Sequence, residues 1–160
     1  MKKAELLAPV KDSECLRAVI ENGTDSVYMR YQQFNARMFG KNFNESELRE
    51  HIKYAHKNNV KVYLTLNTVI REDEMRLALQ MAIQAVKDRI DGILVQDIGL
   101  AAEIQKNISN ANLHASTQMS VSNHYGVQVL HEMGFRRVVL ARELNYKEIT
   151  AIKQVCLDGH

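Results

Sequence analysis

Three observations predict an α/β chain folded as an incomplete TIM-like (β/α) barrel, with about six βα units and parallel strands. Short β-type apolar runs alternate with longer runs at helical spacing, and strict alternation implies parallel strands joined by right-handed crossovers. The turn after the first strand, Ala8-Pro-Val-Lys-Asp12, has no glycine, so the G-x-G-x-x-G loop of a dinucleotide-binding doubly wound sheet is missing. Polar residues stand at the C-terminal ends of several strands, which suits a ring around a barrel mouth better than a switch-point crevice.

The elements follow in order. Glu5–Ala8 reads as a short strand ending at Pro9. Asp12 or Ser13 caps a helix bearing Cys15, Leu16, Val19 and Ile20 at helical spacing, and Asn22-Gly23 stops it. Asp25–Met29 is the second strand, and a long segment from Arg30 to Asn44 follows. Asn44, with Glu47 three residues on, caps the next helix. Val60–Leu66 is the clearest strand, being rich in β-branched and aromatic residues. Glu72–Asp88 reads as a helix with Met75, Leu79 and Ala82 on one face. Then come strand Asp91–Val95, helix Gly99–Asn107, strand Asn112–Ser116, helix Asn123–Met133 stopped by Gly134, strand Arg137–Ala141 and helix Tyr146–Val155.

Composition narrows the function classes. The 160 residues are 46% hydrophobic and 25% charged, as in an ordinary globular domain. The formal charge of +2 does not by itself demand a nucleic-acid or membrane partner. The apolar run at the start is too short for a signal peptide, and Lys11-Asp12 cuts it off. Two cysteines do not make a disulfide framework, so a reducing cytoplasm is expected. A single proline, where about eight would be average, argues for dense regular structure. A (β/α)₈ barrel needs ~200 residues or more. Six units are about three quarters of one, so the chain is expected to be part of a longer barrel or to be completed by a second copy through its exposed edges.

At the strand ends the sequence resembles a known family. Glu5-Leu-Leu-Ala-Pro9, Asn35-Ala-Arg37 with Asn42-Phe43, Val62-Tyr-Leu-Thr-Leu-Asn67, Val95-Gln-Asp97, His114-Ala-Ser-Thr-Gln-Met-Ser120 and Val138-Val-Leu-Ala-Arg-Glu143 are similar to the N-terminal part of the U-32 peptidase family of collagenase-like proteases. The resemblance implies a TIM-barrel-like fold and either of two activities. One is proteolysis. The other is oxygen-independent hydroxylation of a tRNA uridine, an rRNA cytidine or the ubiquinone ring, by members that bind an iron–sulfur cluster through four cysteines. The cluster signature, Glu-x-Phe-x-x-Gly-Ala/Ser-x-Cys, is not in this chain, and Cys15 and Cys156 match no cluster position. Two thiolates cannot hold a [4Fe–4S] cluster. This chain alone is therefore expected to carry no cofactor and no metal, the cluster belonging to a longer parent protein. A peptide or an RNA is the expected substrate.

Each candidate residue has a functional and a structural reading. His114, Ser116 and Gln118 share strand parity and point together into the barrel, as a pocket with His114 as acid, base or ligand, or as a hydrogen-bonded layer. Arg142 has the parity of Val138 and Leu140. If those fill the barrel, it reaches the mouth and grips a carboxylate or phosphate, or else it pairs with Glu5 inside. Glu143 is read as structural. Gln96 and Asp97 end the fourth strand, where Asp97 is either a base or the cap of the next helix. Thr65 and Asn67 orient a ligand or satisfy one another. Arg30, Arg37 and Lys41 interleave with Tyr31, Phe34, Phe39 and Phe43, either as a single-stranded RNA contact or as a lid over the barrel top. Protease signatures fail one by one. His131-Glu-Met-Gly-Phe135 is not H-E-x-x-H, and there is no G-x-S-x-G elbow.

Overall fold

The computed structural model describes residues 4–30, 34 and 45–158. Six strands pair in parallel in chain order, β1-β2-β3-β4-β5-β6. They are β1 (Leu7–Pro9), β2 (Ser26–Arg30), β3 (Lys61–Leu66), β4 (Gly92–Val95), β5 (Leu113–Ala115) and β6 (Arg137–Val138). Among the described residues six α-helices alternate with them: α1 (Ser13–Glu21), α2 (Glu45–Lys57), α3 (Met75–Lys87), α4 (Ile98–Asn107), α5 (His124–Glu132) and α6 (Tyr146–Asp158). A doubly wound sheet would reverse its strand order at a switch point. Here the order never reverses, so the sheet curls in one sense into an incomplete barrel, as the alternation predicts.

The hydrophobic core lies between the convex face of the sheet and the helices. Val27 and Met29 of β2, Val62, Leu64 and Leu66 of β3, Ile93 and Val95 of β4, and Leu113 and Ala115 of β5 form one cluster with the helices. These are alternate positions on each strand, so a single face is apolar. The helices answer at a period of 3.6. Leu48, Ile52 and Ala55 are buried on α2, Ala78, Ala82 and Ala85 on α3, and Leu100, Ala101 and Ile104 on α4. The α3 helix packs beside α4. Burying a side chain such as Leu64 contributes roughly 2 kcal/mol.

One local device repeats along the chain. Four helices end on a residue in the left-handed region: Gly23 (φ 80°), Asn59 (φ 59°), Arg89 (φ 68°) and Gly134 (φ 84°). In each the next amide bonds five residues back, Thr24 to Val19, Val60 to Ala55, Ile90 to Ala85 and Phe135 to Leu130. This is the Schellman motif. It turns the chain straight into the next strand. An aspartate then locks two of these turns to the preceding strand. Leu6 N donates to Asp25 Oδ2 at 2.8 Å, and Val62 N to Asp91 Oδ2 at 2.7 Å.

The sequence expectations depart from the structure mainly at element ends. The strand expected over 137–141 stops at Val138, because Val139 N still bonds Ala115 O while Ala141 N turns away to Val121 O. The strand expected over 112–116 ends at Ala115. Ser116 instead caps a 3₁₀ turn, Thr117–Met119. The α3 helix starts at Met75 rather than Glu72, after a turn in which Arg71 N donates to Glu74 Oε2 at 3.0 Å. Asp12, not Ser13, caps α1, accepting from Cys15 N at 2.9 Å. The expected cap at Asn44 lies outside the described residues.

Asp97 caps α4 with one oxygen, accepting from Leu100 N at 2.8 Å, and with the other accepts from Ile70 N at 3.1 Å. It thus joins the β3–α3 and β4–α4 loops at the mouth. Asp97→Ala is expected to cost about 2 kcal/mol of stability, against about 1 kcal/mol for the singly bonded cap in Asp12→Ala. Urea unfolding checks the order, and equal losses would contradict it.

Candidate functional site

Among the described residues no helix lies over the concave face, and its polar groups pair with one another. Residues in register across parallel strands share a face. One inward row runs Pro9, Tyr28, Tyr63, Gly92, and the next runs Arg30, Thr65, Leu94, His114, Arg137. The second row begins at the last residue of β2 and finishes at the first residue of β6. That drift is the stagger a tilted barrel requires. It brings low positions of early and late strands to one level.

A polar layer fills that level. Glu5, just before β1, accepts from Arg137 of β6 at 2.6 Å through Oε2 and at 3.4 Å through Oε1. Tyr63 of β3 donates to Glu5 Oε1 at 2.8 Å. The Arg137 guanidinium lies 5.0 Å from the Tyr63 ring centre, and the His114 ring meets Tyr63 edge-on at 4.7 Å. Glu5, Tyr63 and His114 come from alternate strands, as in the side-chain layers of a barrel interior. Gly92 makes room for this. A Cβ there would stand 3.1 Å from His114 Nε2 and 3.0 Å from Asn112 O, so only glycine lets the imidazole cross β4 to reach Tyr63.

The layer sets its own protonation. Burial alone would raise the Glu5 carboxyl, but hydrogen bonds, led by that from Arg137, outweigh it and bring the pKa down to about 2. The buried Ser26 hydroxyl lies beside this carboxylate without a well-formed hydrogen bond. Burial, reinforced by the Glu5 hydrogen bond, pushes Tyr63 up to about 12. Burial first, and then the Arg137 charge, hold His114 down to about 4. At neutral pH the layer therefore presents a neutral imidazole, a neutral phenol and a tied ion pair.

The predicted site residues fall in different places. His114 and Ser116 are both buried on inward-facing positions of β5 and its end. Ser116 Oγ accepts from Gln118 N at 3.3 Å. Gln118 itself leaves the strand with the 3₁₀ turn and is exposed, so its expected parity with His114 does not hold. Arg30 ends β2 with its guanidinium 5.8 Å from the Tyr28 ring centre. Asn67 and Gln96 follow β3 and β4 and are half-buried at the mouth. Asp97 caps α4. Thr65, read as orienting a ligand or pairing with Asn67, donates to Met29 O at 3.0 Å. Arg142 sits exposed in the turn between β6 and α6. Its expected parity fails because Val138 and Leu140 pack with the core rather than filling the barrel. The partner of Glu5 is Arg137 instead, for the register places Arg137 beside His114. Arg37 and Lys41 lie outside the described residues. Sequence reasoning missed Arg137, Tyr63 and Lys61. The stagger that brings Arg137 to Glu5 is a tertiary feature with no local sequence signal.

A cluster of the kind the resemblance implies does not fit these residues. Cys15 stands on α1, its thiol donating to Pro9 O at 3.5 Å, and Cys156 stands on α6. Among the described residues no three His, Cys, Asp or Glu side chains are grouped to hold a metal ion.

A parallel sheet curled in one sense, its strands in chain order, defines a barrel-type fold, here a partial one. The Peptidase family U32 model matches residues 11–159, and the chain belongs to that family. It is 37% identical over 157 residues to an uncharacterized protease of Methanocaldococcus jannaschii, covering 96% of this chain and 37% of that protein. It is 34% identical over 152 residues to the 23S rRNA 5-hydroxycytidine synthase of Escherichia coli, covering 95% of this chain and 23% of that one. It is 35% identical over 154 residues to tRNA hydroxylation protein P1 of Bacillus subtilis, covering 96% and 36%. The chain thus spans between about a quarter and two fifths of these relatives. A solved U32 peptidase superposes with a TM-score of 0.72 at 14% identity, over 96% of this chain and 67% of that one, which shows the same fold. No helix among the described residues is long and apolar enough to cross a membrane.

The two lowered groups, His114 and Glu5, make stability fall as pH falls. The folded state takes up the His114 proton only near pH 4, while the unfolded chain takes it up near 6.5, so stability is lost between those values. Glu5 adds a second loss between about 4.5 and 2. In His114→Asn the first loss is expected to vanish and the second to remain. Urea midpoints measured at successive pH values check this, and an unchanged profile between pH 6.5 and 4 would contradict it.

Proposed function

We propose that this chain is the substrate-binding half-barrel of a U32 protein that modifies RNA, with a nucleobase bound at the mouth. The chemistry of the mouth carries the reading. Asn67 and Gln96 stand half-buried just past the ends of β3 and β4, and Ser116 just past β5, at the same end of the sheet as Arg30, whose guanidinium lies near the Tyr28 ring. Base edges are read by amides and hydroxyls, while phosphates and base faces are met by arginine and aromatic rings. Two of the relatives are named for hydroxylating rRNA or tRNA, which supports the same reading. In it Arg30 meets a phosphate or a base face, Asn67 and Gln96 read the base, and His114 and Ser116 floor the pocket. Arg142 and Arg37 would extend the contact to the strand. An iron–sulfur cluster would be held by cysteines other than Cys15 and Cys156, and a reducing cytoplasm is the compartment this chemistry needs.

A peptidase reading is favoured by the relatives named as an uncharacterized protease and as a collagenase of Porphyromonas gingivalis, the latter 34% identical over 151 residues. Against it, Ser116 Oγ is used as a cap and burial keeps His114 a weak base. Deleting the gene should remove from digested tRNA or rRNA one nucleoside heavier by a single oxygen atom. Re-expression should restore it, and the Gln96→Ala, Arg30→Ala variant should fail to do so. An unchanged nucleoside profile, with gelatin degradation lost on deletion, would establish the peptidase reading instead.

A further inference from the structure

A polar cleft of about 320 Å³ opens at the N-terminal end of the concave face, away from the mouth. Lys61, the first residue of β3, and the successive Arg136 and Arg137 at the start of β6 line it. Arg137 is neutralised by Glu5. Lys61 and Arg136 are exposed and have no ion pair among the described residues. The carboxylate in the lining, Asp91, is already engaged by Val62 N at 2.7 Å and His56 Nε2 at 2.8 Å. Three cations and the Asp91 carboxylate share one small cavity, and with Glu5 tied to Arg137 the balance is one positive charge. Such a placement raises the local concentration of anions and favours an oxyanion that several N–H donors can grip at once.

The geometry points to an anion site for a phosphate group, gripped by Lys61, Arg136 and the outer N–H groups of Arg137, with Asn112 and His114 as its neutral wall. The depressed basicity of His114, caused first by burial and next by the Arg137 charge, is consistent with a positive field in the cleft. The site lies at the opposite end of the strands from the proposed base pocket and does not depend on that reading.

Calorimetric titration of the protein with sodium pyrophosphate at low salt tests it. Saturable one-to-one binding is expected, weakened at least about tenfold by the Lys61→Ala, Arg136→Ala double variant and weakened by added salt. Both positions are exposed, so the variant should keep the parent's thermal midpoint. A control variant with the same charge change on remote exposed surfaces, Lys53→Ala with Lys147→Ala, should bind as the parent does. No binding, or an equal loss in the control, would overturn the proposal. Competition by a short single-stranded RNA would assign the cleft to backbone phosphate, and its failure to a small phosphate-bearing molecule.

Discussion

The ion pair between Glu5 and Arg137 joins the first strand to the last across the open side of the sheet, at 2.6 Å and 132 residues apart in sequence. The curled sheet of six parallel strands has a convex face that helices cover and a concave face that no helix covers among the described residues. The concave groups must therefore pair across the hollow or face water. Tyr63 bridges the pair from the middle of the sheet, and Gly92 leaves the gap through which His114 reaches Tyr63. Charge, ring packing and the absence of one Cβ are thus parts of a single arrangement.

That arrangement divides the molecule by task. The lower layer fixes its partners and their protonation. The loops at the strand ends rise above it, held by Asp97 between two of them. Barrel folds keep stability at the N-terminal face and chemistry at the C-terminal face. Here the half-buried amides Asn67 and Gln96 stand at the C-terminal ends of β3 and β4. The cationic cleft departs from this division, because it places unbalanced charge at the end usually given to stability.

The fold was legible because its signals are local. Strict alternation, Gly23 and Gly134 at helix ends, and the β-branched run over 60–66 each specify an element without reference to the rest of the chain. Asp97 could also be read as a cap from its position alone. The polar layer was less legible, since Glu5 could be seen to need a partner but not which one. Choosing Arg137 over Arg142 depends on strand stagger and on where β6 stops, and both are tertiary facts. Ser116 and Gln118 were separated by a 3₁₀ turn whose residues, Thr117 to Met119, carry no glycine or proline to announce it. Arg89 in the left-handed region was likewise hidden, because the neighbouring Schellman hydrogen bonds hold it there against its own preference.

A double-mutant cycle on the closing pair tests this account most directly. Stability is measured by urea unfolding for the parent, Glu5→Gln, Arg137→Met and the double variant. Both side chains are partly exposed, at 28% and 35%, so solvent screening limits the expected coupling to about 1 kcal/mol. Coupling of that size would show that the first and last strands are held to each other through the layer. Additive losses would contradict it, and would mean that the half-barrel keeps its curl from the convex core alone.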